Sequence, residues 1–267
     1  STNRSDYGNG VYWVAGRGRD GDEYYSSVLR VIGELCEELP GPEIDYFYPD
    51  LVISIGADEA YFFDGPVRWY FINGEWVQNE LPFDYYHTLY VFDRANEILY
   101  NYEQPLYKDH YCRISYDYFE SYIEEDINLS GNLPLSSSDV YLTKAAVYNG
   151  NVYFGATLYT DTRIWYALIE RTGAPGNGVY KVIYRRDKAL GGWGPIIAPA
   201  EGEVLSALPE TDLMFYYKNG DTYFEDNAPY DIRNMIFSGG LIWAEGRRRE
   251  DDGGLYYPVE LLVNDGL

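Results

Sequence analysis

Two stretches near opposite ends of the 267-residue chain read almost alike. The first is Gly10-Val11-Tyr12-Trp13-Val14-Ala15-Gly16-Arg17-Gly18-Arg19, followed by an acidic turn and Tyr24-Tyr25. The second is Gly240-Leu241-Ile242-Trp243-Ala244-Glu245-Gly246-Arg247-Arg248-Arg249, followed by a longer acidic turn and Tyr256-Tyr257. A weaker third copy, Gly150-Asn151-Val152-Tyr153-Phe154-Gly155-Ala156, precedes Arg163-Ile164-Trp165-Tyr166. Spaced self-similarity of strand–turn–strand units marks a repeat architecture, in which each unit buries its apolar face against a neighbour.

The chain between the copies has the same character. Residues 51–55, 61–63, 67–71 and 75–77 are apolar or aromatic runs separated by Asp58-Glu59, Asp64-Gly65-Pro66 and Asn73-Gly74. Asn-Gly between alternating runs is the strongest short-range hairpin signal, because both residues tolerate positive φ. Residues 51–78 therefore predict an antiparallel meander. Strands are also predicted at 88–92, 98–102, 111–116, 140–147, 152–154, 164–170 and 179–184. A last set is expected at 204–208, 213–217, 222–225, 235–237, 241–244 and 256–263. Five or six such meanders at about 45–50 residues each match the dimension of a propeller blade. A sandwich also uses many short strands, but it does not explain the near-copies at residues 10 and 240.

The expectation is thus an all-β fold, a β-propeller of five or six blades, forming a single domain over residues 1–267 with no linker-like interruption. One segment is compatible with a short helical insertion. Val28, Leu29, Ile32, Leu35, Cys36 and Leu39 fall at helical spacing, with Glu34, Glu37 and Glu38 opposite and Pro40 as a stop. Residues 118–123 fit one further helical turn.

Charge narrows the partners. With 43 acids against 20 bases the formal net charge is −23. Such a surface repels phosphate backbones and anionic lipid, so no nucleic acid and no membrane surface is expected. No apolar run approaches the ~18–20 residues a spanning helix needs, so no membrane insertion is expected either. Glycans, cationic peptides and divalent ions are compatible. No leader pattern is visible, and the chain is expected to be soluble, either cytoplasmic or secreted with its signal removed. Cys36 and Cys112 are the only cysteines. They leave a single bridge or two reduced thiols open, without zinc-type spacing.

Motifs for catalysis are scarce. Gly-x-Ser-x-Gly, phosphate-binding glycine loops and paired-His zinc motifs are absent, and His87 and His110 read as surface or half-buried residues. No catalytic residue, metal or cofactor is assigned. Asp58, Glu59, Glu210 and Asp212 beside inner strands would be the acids of a glycosidase, but read more simply as turn residues. The acidic turns at 20–23 and 250–252 lack calcium-loop spacing. Four aromatic–cation sets stand out: Trp13 with Arg17, Arg68 with Trp69, Arg163 with Trp165, and Trp243 with Arg247. An aromatic plate stacks on the C–H face of a sugar, while Arg and carboxylates bond its hydroxyls. Repetition would make weak sites useful through multivalency. The competing reading is a core ring covered by a structural guanidinium.

Ile53-Ser54-Ile55-Gly56, Tyr61-Phe62-Phe63, Val67-Arg68-Trp69-Tyr70-Phe71 and Gly74-Glu75-Trp76 together resemble the six-bladed fungal fucose-binding propeller lectins. Ser206-Ala207-Leu208 with Leu213-Met214-Phe215-Tyr216-Tyr217, and Gly191-Gly192-Trp193-Gly194, are similar to the same pattern, which covers about half the chain. The resemblance implies a propeller and a lectin-like role. The family's Arg precedes its paired tyrosines in the second strand, whereas Ala60 and Leu213 stand near those places here and Arg68 lies one strand later. A fucose site is therefore not carried over. The expected function is non-catalytic carbohydrate binding in shallow pockets formed by Trp13, Arg17, Arg68, Trp69, Trp165, Glu170, Trp243 and Arg247. Its partners would be glycans or glycoproteins, with the oligomeric state open. The alternatives are a glycoside hydrolase on a five-bladed frame, and a protein-binding propeller with an acidic surface.

Overall fold

The computed structural model of the protein describes residues 5–20, 23–42, 44, 47–82, 88–103, 111–127, 129, 140–159, 163–187, 192–208, 213–226, 230–238, 241–248 and 260–264. Among these, every regular element is a β-strand. The first sheet contains β1 (Ser5–Gly8), β2 (Val11–Asp20), β3 (Glu23–Ile32) and β4 (Leu35–Pro40). The second contains β5 (Leu51–Gly56), β6 (Glu59–Asp64), β7 (Val67–Ile72) and β8 (Glu75–Glu80). The third contains β9 (Thr88–Asp93), β10 (Ile98–Glu103), β11 (Tyr111–Ser115) and β12 (Ile123–Asp126). The fourth contains β13 (Val140–Tyr148), β14 (Asn151–Tyr159), β15 (Ile164–Thr172) and β16 (Val179–Asp187). The fifth contains β17 (Ile196–Ala200), β18 (Glu203–Leu208), β19 (Leu213–Lys218) and β20 (Asp221–Asp226). The sixth contains β21 (Tyr230–Ser238), β22 (Leu241–Arg248) and β23 (Glu260–Asn264).

In every sheet, strands adjacent in sequence are adjacent in space, so each is an up-and-down meander of blade size. The fold is all-β and of propeller type, with six sheets among the described residues. Backbone proximity divides the chain into two units, Thr2–Phe92 and Asp93–Leu267.

The local chemistry explains the meanders. Asn9-Gly10, Asn73-Gly74, Asn149-Gly150 and Asn219-Gly220 close four two-residue hairpins with both residues at positive φ, for example 50° and 89° at Asn73 and Gly74. That conformation matches the right-handed twist of the strands it joins. In the first unit a core of Val11, Trp13, Val28, Phe47, Val52, Phe62, Trp69 and Phe71 fills the space between its sheets. In the second unit Tyr153, Leu168, Trp193, Ile196, Val204 and Phe215 do the same for the fourth and fifth sheets.

The repeated sequence motif has a structural meaning. Trp13, Tyr153 and Trp243 each stand third in the second strand of their sheet. Trp13 is fully buried, and its indole N–H donates to the Gly56 carbonyl of the next sheet at 3.0 Å. The Tyr153 hydroxyl accepts from the Gly202 N–H at 3.0 Å, again in the next sheet. Tyr100, third in β10, donates to the Gly150 carbonyl at 3.5 Å. In these three sheets the aromatic in this place is bonded to the start of the following one. The Trp243 side chain lies outside the described residues.

The helical insertion expected over residues 28–39 is not formed. β3 and β4 pair there from Ser27–Pro40 to Ile32–Leu35, joined by Gly33-Glu34 with Gly33 at φ 58°. The apolar positions satisfied both periods, and the β-branched Val28, Val31 and Ile32 favour the strand. Residues 118–123 are not helical either. Tyr118 and Phe119 take left-handed φ values of 55° and 69°. The Ser115 hydroxyl accepts the Asp117 and Phe119 N–H groups, and the Asp117 carboxylate accepts that of Ser121, fixing an irregular turn.

Candidate functional site

Strand geometry distributes the expected binding residues unequally. Trp13 is shielded from solvent, and the guanidinium of Arg30 lies 5.8 Å from its ring centroid. Arg68 and Trp69 are adjacent in β7 and point to opposite faces. Trp69 joins the core, edge-on to Phe47 and Trp76, while buried Arg68 lies 5.8 Å from the Tyr61 ring. Glu170 is half-buried, opposite Tyr153 and Lys181 in register. Burial first, with Glu170 nearby, pushes the Tyr153 phenol up to about 12. The side chains of Arg17, Trp243 and Arg247 lie outside the described residues.

Trp165 is different. It starts β15, opposite Leu158 on one side and Asp187 on the other, and is only half-buried. Arg163, two residues earlier, shares its face and places its guanidinium 5.8 Å from the ring centroid. Arg185, opposite Ala167 in β16, comes onto the same face and approaches to 4.9 Å. Both arginines are exposed. On the other face of the sheet, Arg186 is buried against Trp193 at 4.9 Å and Tyr166 at 5.5 Å, and donates to the Gly192 carbonyl at 2.9 Å. Burial pulls its pKa below the ordinary guanidinium value. Tyr159, exposed at the end of β14, meets Tyr141 edge-on at 6.1 Å. Sequence reading missed Arg185. The signal was present in Arg185-Arg186, whose alternate side chains reach opposite faces of one strand end.

Elsewhere the polar chemistry is structural. Arg171 and Glu125 form a buried bidentate pair, Nε to Oε1 at 2.7 Å and the second N–H to Oε2 at 3.0 Å. Glu125 also accepts from Tyr180 and from the Gly176 and Gly178 N–H groups, while Arg171 donates to the Gly173 and Ala174 carbonyls. Asp58 is exposed in a turn and accepts from Arg30 at 2.5 Å, and Glu59 accepts from the Tyr70 hydroxyl. Glu210, Asp212, His87, His110 and the turns at 21–22 and 249–252 lie outside the described residues. No group of three or more His, Cys, Asp and Glu side chains converges among the described residues. No helix among them is long and apolar enough to cross a membrane. Both cysteines are free, Cys36 exposed and Cys112 buried.

No protein-family model and no curated protein matches the chain. Solved structures do. YCF48 from Cyanidioschyzon merolae superposes with a TM-score of 0.59 at 11% identity, covering 90% of this chain and 75% of that one. The calcium-binding protein regucalcin from Agrobacterium tumefaciens gives 0.58 at 12%, covering 94% and 84%. Virginiamycin B lyase from Staphylococcus aureus gives 0.55 at 9%, covering 97% and 82%. At such identities the likeness establishes the β-propeller fold and nothing about chemistry.

Proposed function

We propose that the protein is a non-catalytic carbohydrate-binding propeller, with its ligand site at the Trp165 corner of the β13–β16 sheet. The supporting observation is the placement of the tryptophans. Trp13, Trp69 and Trp193 are buried, and Trp76 packs among Phe47, Phe62 and Phe71. Trp165 is half-open, near the start of β15, and belongs to none of the core clusters among the described residues. Loops at the end of a rigid sheet are where binding groups collect.

The Trp165 indole stacks on the C–H face of a pyranose, with the exposed Arg163 beside it. Arg185 stays and donates to ring hydroxyls. Of the acids that a hydrolase reading would use, Asp58 is engaged by Arg30 and Glu59 by Tyr70. Labelled protein on a glycan array, with and without calcium, tests the reading. The expected result is signal that free sugar competes away and that Trp165→Ala reduces by roughly tenfold or more, as loss of a stacking plate should. Signal indifferent to free sugar, or retained in the variant, would remove this function.

A further inference from the structure

Net charge argues against anionic ligands for the chain as a whole, but the charge is not evenly spread. Residues 140–187, which form the fourth sheet, hold six of the 20 Lys and Arg and only three of the 43 acids. The segments forming each of the other five sheets hold more acids than bases. One sheet of this acidic protein is therefore basic, and it is the sheet that carries Trp165. At physiological salt a charge is felt over about 8 Å, so a bound group responds to this sheet rather than to the total.

Within the sheet the cations differ in what they touch. Arg171 and Arg186 are buried and bonded. Lys181 and Arg185 are exposed on the outer strand β16, and Arg163 is exposed beside Trp165. The structure gives Arg185 one contact among the described residues, the Trp165 ring, and its N–H groups have no carboxylate within ion-pair distance. Asp187, opposite Trp165 in register, is the acid nearest in sequence on that face. The indole holds the guanidinium plane in place, and its planar fork matches an oxyanion in two parallel hydrogen bonds.

We infer that the Trp165 corner selects saccharides bearing an oxyanion, a carboxylate or a sulfate, with Arg185 as the recognising group. This rests on the sugar-binding reading above and adds the ligand class. A chain of net charge −23 repels anions overall, so any preference for an acidic sugar must arise locally.

The test is isothermal titration of the full chain with trigalacturonate and its neutral methyl ester, and with galactose 6-sulfate and galactose. The charged member of at least one pair is expected to bind roughly tenfold tighter, the size of a charge-assisted hydrogen-bond contribution. That margin should shrink between about 50 mM and about 500 mM NaCl. Arg185→Ala, on an exposed edge, should erase the margin by weakening the charged sugar more than the neutral one, and Arg185→Lys should restore part of it. Equal affinities within both pairs, or a margin that survives Arg185→Ala, would overturn the anionic preference and leave the sugar site standing. Absence of binding to charged and neutral sugars alike would remove both.

Discussion

Arg171 is shut off from solvent, yet its charge is matched by Glu125 and by backbone carbonyls on the loop that follows it. Removing one partner strands the other, and breaking a buried pair in this way costs about 3–5 kcal/mol. Arg171→Met and Glu125→Gln should each lower the unfolding free energy by that amount, read from a urea titration. Burial alone would raise the pKa of Glu125, but hydrogen bonds from Arg171 and Tyr180 hold it below the usual carboxylate value. The group's stabilisation is therefore complete above the unfolded pKa of about 4.3 and fades as pH falls through the lower folded value. Glu125→Gln should flatten the acid limb of a stability–pH curve. Cys112, in the same cluster, has its thiol pushed up to about 12 by burial. A thiol reagent at neutral pH should label Cys36 alone in the native protein and both cysteines in denaturant. At this scale an aromatic–cation contact was legible where spacing respected the strand. Arg163 and Trp165, two apart, share a face and do meet. Arg68 and Trp69, one apart, cannot.

Among the elements, the turns carry most of the specification. The Asn73-Gly74 turn and the alternation around it made the meander at 51–78 readable, and β5 to β8 follow it closely. Gly74→Val puts a β-branched residue at φ 89°, a strain of about 1–3 kcal/mol that thermal denaturation would register. Gly33-Glu34 lacks the Asn-Gly signature, which is why the sequence of the β3–β4 hairpin is also compatible with a helix. β1 (Ser5–Gly8) and β12 (Ile123–Asp126) escaped notice because four polar-rich residues show no period. Close approach matters as well. A Cβ at Gly155 would lie 2.6 Å from the Trp193 ring, so Gly155→Ala must displace a buried indole. Overpacking of that kind costs typically 1–3 kcal/mol, again visible as a lower melting temperature.

The whole molecule carries far more negative than positive charge, and self-repulsion opposes its compact state. Raising NaCl from about 10 mM to about 150 mM should raise the melting temperature, because the screening length falls from about 30 Å to about 8 Å. A melting point that stays flat or drops would mean that local ion pairs outweigh the global field. The blade count was bracketed by sequence length and repeat size, but the uneven placement of charge became visible only once strands were assigned to sheets. The aromatic fastening of one sheet to the next has a further consequence for synthesis. As the chain emerges from the ribosome, the first four strands can pair while Trp13 still lacks its acceptor, because Gly56 has yet to appear. Until then a bare indole marks the unfinished edge, a natural handle for a chaperone that hides it until the next hairpin arrives.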